Sequence, residues 1–354
     1  MKIVTIIGAR PQFIKSVPVS RELIKNNIDE VVIHTGQHFD QNMSHIFFDQ
    51  MQISKPKYFL NINQLKHGAM TGQMLERIED ILFSEKPDYV LVYGDTNSTL
   101  AGALAASKLN IKIIHVEAGL RSFNMKMPEE INRIITDRLS SYLFCPTDTA
   151  VKNLEKEGFA NFKCYVIKSG DVMQDSAIMF SQYALSPKIR IPEEYILCTI
   201  HRQENTDDQA NLSSIIEGLN IISKEKQIIL PLHPRTHKKI IEFELGSKIS
   251  ENIIIIDPVG YLEMIYLLKN SAMVITDSGG LQKEAFFFYK LCLTLRSETE
   301  WIELVDKGFN LLCGTDTKSI LEHYSKVKKI SPDFDINLYG NGSASKIIVE
   351  TLSK

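Results

Sequence analysis

Residues 89–99, YVLVYGDTNST, join an apolar run to a sharp change into glycine, aspartate and hydroxyl side chains. The run does not alternate between apolar and polar residues, which is typical of a parallel strand that helices cover on both faces. It stops at Gly94, and Asp95 follows directly. The stretch therefore predicts a buried parallel strand that carries an acidic residue at its carboxyl end.

The same pattern recurs along the chain, with amphipathic helical segments such as 71–86 and 209–226 between the apolar runs. The other predicted strands are KIVTIIGA (2–9), EVVIHTG (30–36), KIIHVEA (112–118), YLFCPT (142–147), CYVIKSG (164–170), YILCTIH (195–201), QIILPLH (227–233), NIIIID (252–257), AMVITDSG (272–279), LCLTLR (291–296) and FNLLCG (309–314). Two successive series of about six strands each predict an α/β fold with two Rossmann-like, doubly wound parallel-sheet domains.

The junction between the domains is predicted near residues 169–171 or in the proline-containing stretch 185–194. We expect an amino-terminal domain of residues 1–170, completed by a returning carboxyl-terminal helix at about 342–354, and a second domain of residues 171–341.

Composition narrows the classes of function. The formal net charge of −3 provides no basic field for nucleic acid or an anionic membrane. No apolar run approaches the roughly 18 residues that a membrane span needs, and the amino terminus lacks a signal-peptide pattern. The five cysteines are scattered without CxxC spacing, which favours free thiols in a cytoplasmic protein and argues against a metal site.

Polar residues collect where the predicted strands end. The segments that follow the strands include GARPQFIK (8–15), TGQHFD (35–40), GDTNST (94–99), VEAGLR (116–121), IHRQEN (200–205), LHPRTH (232–237) and TDSGGLQKE (276–284). Ligands of open parallel sheets bind outside the carboxyl ends of the strands. Two such rims, one in each domain, predict a binding cleft between the domains.

The segment 276–285, TDSGGLQKEA, is predicted to bind an anion. Gly279 and Gly280 allow close backbone approach, and the helix start that follows offers free N–H groups to a phosphate, with the Ser278 hydroxyl beside them. Glu284 is placed to accept hydrogen bonds from ribose hydroxyls, as the acidic residue of dinucleotide sites does. Neither GxGxxG nor a P-loop pattern is present, so a nicotinamide dinucleotide site is disfavoured.

Other charged residues suggest acid–base chemistry next to this anion. Arg10 and Lys15 are two cations near a glycine turn, and His201 and His233 of the second half can hold a diphosphate or supply a proton. Asp95, Glu117 and Glu129 belong to the first half, and crowded carboxylates can divide into acid and base roles. The alternative for Glu129 and Glu130 is a solvated helix start, because Pro128 and two acids suit a first turn.

The segments GARPQFIK, HTGQH, GDTNST, HVEAGLR, PEEINR, HRQEN and TDSGGLQKEA occur in the order found in the non-hydrolysing UDP-N-acetylglucosamine 2-epimerase family, which the chain resembles from residue 3 to about residue 315. The resemblance implies GT-B architecture, with the active site in the cleft between the two domains, and a homodimer. It implies interconversion of UDP-N-acetylglucosamine and UDP-N-acetylmannosamine for surface polysaccharide precursors, without cofactor or metal.

The reaction implied by the resemblance is anti-elimination of UDP to a 2-acetamidoglucal, followed by return of UDP and of a proton to the other face of C2. The family motifs make Asp95, Glu117 and Glu129 the acid–base candidates, with His201 stabilising the departing diphosphate. Arg10 and Lys15 would add charge to that stabilisation. The remaining contacts to UDP would come from Ser278, Gly279, Gly280 and Glu284.

Two departures from the common family pattern concern the substrate and its regulation. Phe39 stands where many members have an arginine near an activating UDP-sugar site, and Trp301 replaces an arginine near the nucleotide. With FNMKMPEEINR, these features resemble the subgroup acting on UDP-2,3-diacetamido-2,3-dideoxyglucuronic acid, which is the alternative substrate. A hydrolysing epimerase, a GT-B glycosyltransferase and an inactive nucleotide-sugar sensor are further alternatives.

Overall fold

The computed structural model describes residues 1–37 and 55–353 of the chain. The chain divides into two compact units, which are described separately: one contains Met1–Ser176 and Asn337–Lys354, and the other contains Ala177–Ile336.

The first unit is built on a parallel sheet whose strands stand in the order β3-β2-β1-β4-β5-β6-β7. The strands are β1 (Lys2–Ile7), β2 (Asp29–His34), β3 (Tyr58–Phe59), β4 (Tyr89–Tyr93), β5 (Lys112–Val116), β6 (Tyr142–Cys145) and β7 (Tyr165–Lys168). The helices are Arg10–Lys25, His67–Glu85, Asn97–Lys108, Pro128–Leu139, Asp148–Lys156, Val172–Phe180 and Ala344–Leu352, with a 3₁₀ turn at Phe159–Asn161. The helix Val172–Phe180 contains the boundary between the two units.

The second unit contains a parallel sheet with the order β10-β9-β8-β11-β12-β13. Its strands are β8 (Ile196–Thr199), β9 (Ile228–Pro231), β10 (Ile253–Ile256), β11 (Met273–Thr276), β12 (Cys292–Thr294) and β13 (Asn310–Leu312). Its helices are Gln203–Thr206, Gln209–Ser223, Pro234–Glu242, Tyr261–Asn270, Gly279–Phe287, Ile302–Asp306 and Thr317–Val327, with 3₁₀ turns at Ser181–Tyr183 and Gly246–Lys248.

The prediction of two doubly wound parallel sheets is confirmed, since every strand expected from the apolar runs is present. Both sheets follow the Rossmann order, in which the winding direction reverses next to the first strand of each sheet. The reversal lies between β1 and β4 in the first unit and between β8 and β11 in the second. These two places are where a doubly wound sheet binds its ligand.

The last helix, Ala344–Leu352, packs into the core of the first unit, where Ile348 and Val349 are fully buried beside residues of β1 and β4. The buried Asp175 carboxylate accepts hydrogen bonds from the backbone N–H of Ala344 at 3.2 Å and of Ser345 at 2.7 Å. This carboxylate satisfies donors that the first turn of a helix leaves without intrahelical partners.

All five cysteines are free thiols, and four of them are buried, while Cys164 is half-buried. Burial raises the pKa of Cys292 and of Cys313 to about 12, so these thiols stay protonated. Among the residues that the structure describes, no helix is long and apolar enough to cross a membrane.

Glu85, at the end of the helix His67–Glu85, gives a test of pH-dependent stability. Its carboxylate contacts Lys2 at 2.5 Å, Lys57 at 2.7 Å and the Tyr58 hydroxyl at 2.5 Å, and these partners lower the pKa of Glu85 from 4.5 to about 2. Because the folded-state pKa is depressed, this stabilisation is complete above pH 4.5 and is lost as the pH falls towards 2. We expect Glu85→Gln to lose less free energy of unfolding than the wild type between pH 5 and pH 2.5, measured by urea denaturation. An unchanged pH dependence would contradict the assignment.

Candidate active site

Glu117 leaves the end of β5 through a β-bulge. The backbone N–H groups of Glu117 and Ala118 both donate to the carbonyl oxygen of Phe144, each at 3.0 Å, so two residues oppose one on β6. Glu117 has a φ of 74°, in the left-handed region that a non-glycine residue rarely adopts. Bulges of this kind redirect a side chain at the edge of a sheet and are common next to active sites.

In the first unit, the expected site residues Lys15, Asp95 and Glu117 lie close together. Lys15, on the helix that follows β1, forms an ion pair with the buried Glu117 carboxylate. A Cβ placed on Gly94 would lie 3.2 Å from Glu117 Oε2, so this carboxylate lies over the residue that precedes Asp95. Arg10 is the first residue of the same helix as Lys15 and is partly exposed.

Asp95 and Glu117 have different electrostatic surroundings. The Asp95 carboxylate accepts hydrogen bonds from Arg133, with Oδ2 at 3.0 Å from Nε and 2.8 Å from Nη2. Burial raises the pKa of Asp95 above its usual value and the nearby Glu117 adds to the rise, while Arg133 and Lys15 act against it. The ammonium group of Lys15 stabilises the anionic form of Glu117. The two carboxylates of this site are therefore paired with different cations, Asp95 with Arg133 and Glu117 with Lys15.

The neighbouring acids Glu129 and Glu130 have different environments. Glu129 is half-buried in the first turn of the helix Pro128–Leu139, and no hydrogen bond joins it to Asp95 or Glu117 in the described part of the chain. Glu130 is fully buried and accepts hydrogen bonds from Ser122 N at 2.9 Å, Ser122 Oγ at 3.0 Å and Phe123 N at 2.9 Å. The interpretation of Glu130 as part of a solvated helix start is wrong.

Glu130 links the loop after β5 to Asp95. Its Oε2 also contacts Arg133 Nη1 at 2.5 Å, and the same guanidinium group holds Asp95. Burial would raise the pKa of Glu130, but the hydrogen bonds from Ser122, Phe123 and Arg133 more than offset this effect, so the pKa lies below its usual value. Glu130 is therefore an anionic support for the loop and for Arg133.

In the second unit the site is organised around Asp277, which sequence analysis did not select. This fully buried carboxylate follows β11 and accepts hydrogen bonds from the backbone N–H groups of His201 and Arg202, each at 3.0 Å, and from Asn205 Nδ2 at 3.0 Å. The His201 ring lies with Nδ1 at 3.5 Å from Asp277 Oδ1. Asp277 thus fixes the start of the segment that carries His201, next to the winding reversal between β8 and β11.

The turn after Asp277 leads into the helix Gly279–Phe287, where the sequence predicts an anion site. Ser278 caps the helix Gly279–Phe287, and its Oγ accepts from Leu281 N at 3.5 Å. A Cβ on Gly279 would come within 2.3 Å of Glu300 Oε1, whereas a Cβ on Gly280 would meet nothing within 4 Å. The first N–H groups of a helix have no intrahelical acceptor, so this helix start can receive an anion over Gly280.

Two other predicted residues of the second unit already have polar partners. Glu284 is buried, and its Oε1 accepts from the Tyr261 hydroxyl at 3.0 Å. His233 caps the helix Pro234–Glu242, with Nδ1 accepting from Arg235 N at 3.2 Å, and its ring centroid lies 5.7 Å from that of His201. Partial desolvation, His201 and Arg235 lower the pKa of His233, so its ring is neutral and presents Nε2–H as a donor.

Two further predictions concern Phe39 and Trp301. Phe39 lies outside the residues that the structure describes. Trp301 is buried, donates from Nε1 to the carbonyl oxygen of Gly279 at 2.9 Å, and has the Lys283 ammonium 3.9 Å from the centroid of its ring system. It therefore supports the first residue of the anion-site helix. No group of three or more potential metal ligands occurs within residues 1–37 and 55–353.

Comparison with known proteins identifies the family. The profile of the family described as UDP-N-acetylglucosamine 2-epimerase matches residues 21–353. The chain is 56% identical to the UDP-2,3-diacetamido-2,3-dideoxy-D-glucuronate 2-epimerase of Pseudomonas aeruginosa, with 100% of both chains covered. It is 49% identical to a UDP-N-acetylglucosamine 2-epimerase of Methanococcus maripaludis, covering 98% of this chain and 97% of that protein.

A solved structure agrees with this result. The Methanocaldococcus jannaschii UDP-GlcNAc 2-epimerase in complex with UDP-GlcNAc and UDP is similar with a TM-score of 0.88 and 43% identity, covering 100% of this chain and 99% of that chain. The resemblance stated from the sequence motifs is confirmed. The chain belongs to the UDP-N-acetylglucosamine 2-epimerase family, and it is an isomerase.

Proposed function

We propose that this enzyme inverts C2 of a UDP-2-acetamido sugar without hydrolysing it. A base removes the C2 proton while the C1–O bond to UDP breaks, which gives a 2-acetamidoglucal and UDP. A diphosphate oxygen then re-forms the bond to C1, and an acid returns a proton to the opposite face of C2. The observation that carries this proposal is the pair Asp95 and Glu117, which lie after neighbouring strands and are each paired with a separate cation.

The acid and base roles follow from those surroundings. Glu117, paired with Lys15, is suited to accept a proton, whereas burial raises the pKa of Asp95 and favours it as the group that donates one. In the reverse direction the roles exchange. Glu129, at the first turn of its helix, is retained as a third candidate because its carboxylate is not occupied by a hydrogen bond to another described residue.

The second unit would hold UDP. The helix start at Gly279 and Gly280 would receive the diphosphate, His201 would stabilise its charge as the C1–O bond breaks, and Glu284 would accept from the ribose. His233, as a neutral donor, and Arg10 would add contacts to the phosphates. No step in this scheme needs a metal or a nicotinamide cofactor.

For the sugar, we propose UDP-2,3-diacetamido-2,3-dideoxyglucuronate as the preferred substrate. The support is the P. aeruginosa relative, which is 56% identical over the whole chain. UDP-N-acetylglucosamine is the second candidate, supported by the M. maripaludis enzyme that is 49% identical. A cytoplasmic location, a homodimer and a role in polysaccharide precursor synthesis complete the proposal, and light scattering would test the dimer.

Incubation with each UDP-sugar in deuterated water tests the reaction. We expect deuterium at C2 of the retained UDP-sugar and its C2 epimer, with a higher kcat/KM for the diacetamido-uronate. Free sugar with UDP as the products would instead identify a hydrolysing epimerase. Absence of exchange at C2 with both substrates would overturn the proposal, and a higher kcat/KM for UDP-N-acetylglucosamine would reverse the order of substrates.

A further inference from the structure

His115 and Asp137 form a buried hydrogen-bonded pair next to the segments that carry Asp95 and Glu117. Neither residue is exposed to solvent, and His115 Nδ1 lies 2.6 Å from Asp137 Oδ1. The other ring nitrogen, Nε2, lies 2.8 Å from the carbonyl oxygen of Gly94. A carbonyl oxygen can only accept, so Nε2 carries a hydrogen.

The second carboxylate oxygen of Asp137 binds two further donors. Asp137 Oδ2 accepts from Gly119 N at 3.1 Å and from Arg121 Nη1 at 2.7 Å. Burial alone would raise the pKa of Asp137, but His115 and Arg121 more than offset it and the pKa lies below its usual value. The two His115 ring nitrogens thus face the Asp137 carboxylate and the carbonyl oxygen of Gly94.

The surrounding charges balance this arrangement. Arg121 also binds Glu157 through two hydrogen bonds, at 2.7 Å and 2.8 Å. His115, Asp137, Arg121 and Glu157 therefore form one continuous chain of polar contacts. A buried pair of this kind persists only when its remaining donors and acceptors are satisfied, and here each of them has a partner.

The backbone atoms that this pair holds are those that present the two catalytic carboxylates. Gly94 directly precedes Asp95, and Gly119 follows Glu117 by two residues. Glu117 itself has a φ of 74°, a conformation that persists only when the surrounding structure enforces it. Gly119 is further confined, since a Cβ there would lie 2.5 Å from the carbonyl oxygen of Ala150.

We propose that His115 and Asp137 are positioning residues for epimerisation: together they lock the Gly94 and Gly119 turns so that Asp95 and Glu117 keep the geometry needed at C2. This inference rests on the proposed function, because it assumes that those two carboxylates exchange the C2 proton. Neither residue touches the substrate. The His115–Asp137 pair should therefore affect kcat, because displacing a catalytic group by about 1 Å can lower a rate about a hundredfold.

Two variants separate the contacts. Asp137→Asn places an amide against the Gly119 and Arg121 donors, whereas His115→Asn keeps a donor near Asp137 and removes the hydrogen bond to Gly94. We expect each to lower kcat at least about tenfold per folded molecule, with KM and the Kd for UDP within about twofold of wild type. The matched control is Asp175→Asn, which alters another buried carboxylate that accepts backbone hydrogen bonds. It should lower Tm and leave kcat within about twofold.

The outcomes distinguish this inference from the proposed function. If Glu117→Gln, assayed in parallel, keeps full activity, the proposed catalytic site is wrong. If Glu117→Gln is inactive but Asp137→Asn and His115→Asn behave like the Asp175 control, the positioning role is wrong. A measurement on the wild type guards against variants that fail to fold: ¹⁵N–¹H spectra of the histidine rings should show a slowly exchanging Nε2–H for His115, and an Nε2 without a bound hydrogen would overturn the proposal.

Discussion

Glu117→Gln is expected to lower kcat at least about a hundredfold while the Kd for UDP stays within about twofold of wild type. The glutamine amide cannot accept the C2 proton, and it also removes the anion that pairs with Lys15. UDP affinity should persist because the residues proposed to hold UDP are mainly those of the second unit. Initial rates of C2 deuterium exchange and calorimetric titration with UDP measure the two quantities.

Glu85→Gln is the matched control for this variant. It makes the same chemical change in the same unit, at a carboxylate that also pairs with lysine side chains, Lys2 and Lys57, but outside the candidate site. Its kcat should equal that of the wild type at neutral pH. Full activity of Glu117→Gln would remove Glu117 from the mechanism, and equal losses in both variants would indicate a general effect on folding.

The sheets could be predicted from the sequence because most of their strands lie in continuous apolar runs that end in turn-forming or polar residues. The exception is β3, which has only two residues, Tyr58 and Phe59, and is defined by its pairing with Ile33 and His34 of β2. A segment this short has no periodicity, so its assignment depends on the neighbouring strand rather than on its own composition.

The candidate site was predictable in part for a similar reason. Asp95 and Glu117 stand directly after apolar runs, and parallel strands bring such positions to one edge of a sheet. The start of the helix at Pro128 also follows from its sequence. That start does not show which of Glu129 and Glu130 is buried, because the answer depends on the loop at Ser122 and Phe123.

The supporting carboxylates Asp137 and Asp277 were not predictable from the sequence. Asp137 stands within an amphipathic helix, where an acid ordinarily faces solvent, and only the buried His115 and Arg121 explain its position. Asp277 lies in a strand-to-helix turn, where its sequence context is that of an ordinary polar loop residue. Its role depends on the backbone of His201, far away in the sequence.

Asp277→Ala is expected to weaken UDP binding at least about tenfold and to lower the free energy of unfolding by about 2–5 kcal/mol. The substitution leaves buried donors of His201, Arg202 and Asn205 without their acceptor. Because these donors fix the segment that follows β8, the His201 ring and the start of the Gly279 helix would lose their mutual placement. Calorimetric titration with UDP and urea denaturation measure the two effects. The Asp277→Asn variant should have a UDP affinity and a free energy of unfolding between those of Asp277→Ala and the wild type.

Asp316→Ala provides the comparison within the same unit. Asp316 caps the helix Thr317–Val327 by accepting from Ser319 N at 2.9 Å, at an exposed position outside the candidate site. Loss of this cap should lower the free energy of unfolding by about 0.5–2 kcal/mol and leave UDP affinity unchanged. If Asp277→Asn folds and binds UDP as tightly as the wild type, the turn around Asp277 does not organise the diphosphate site. If the Asp316 variant loses UDP affinity to the same degree, that loss reflects the stability of the unit, so a specific effect at Asp277 requires the two variants to differ.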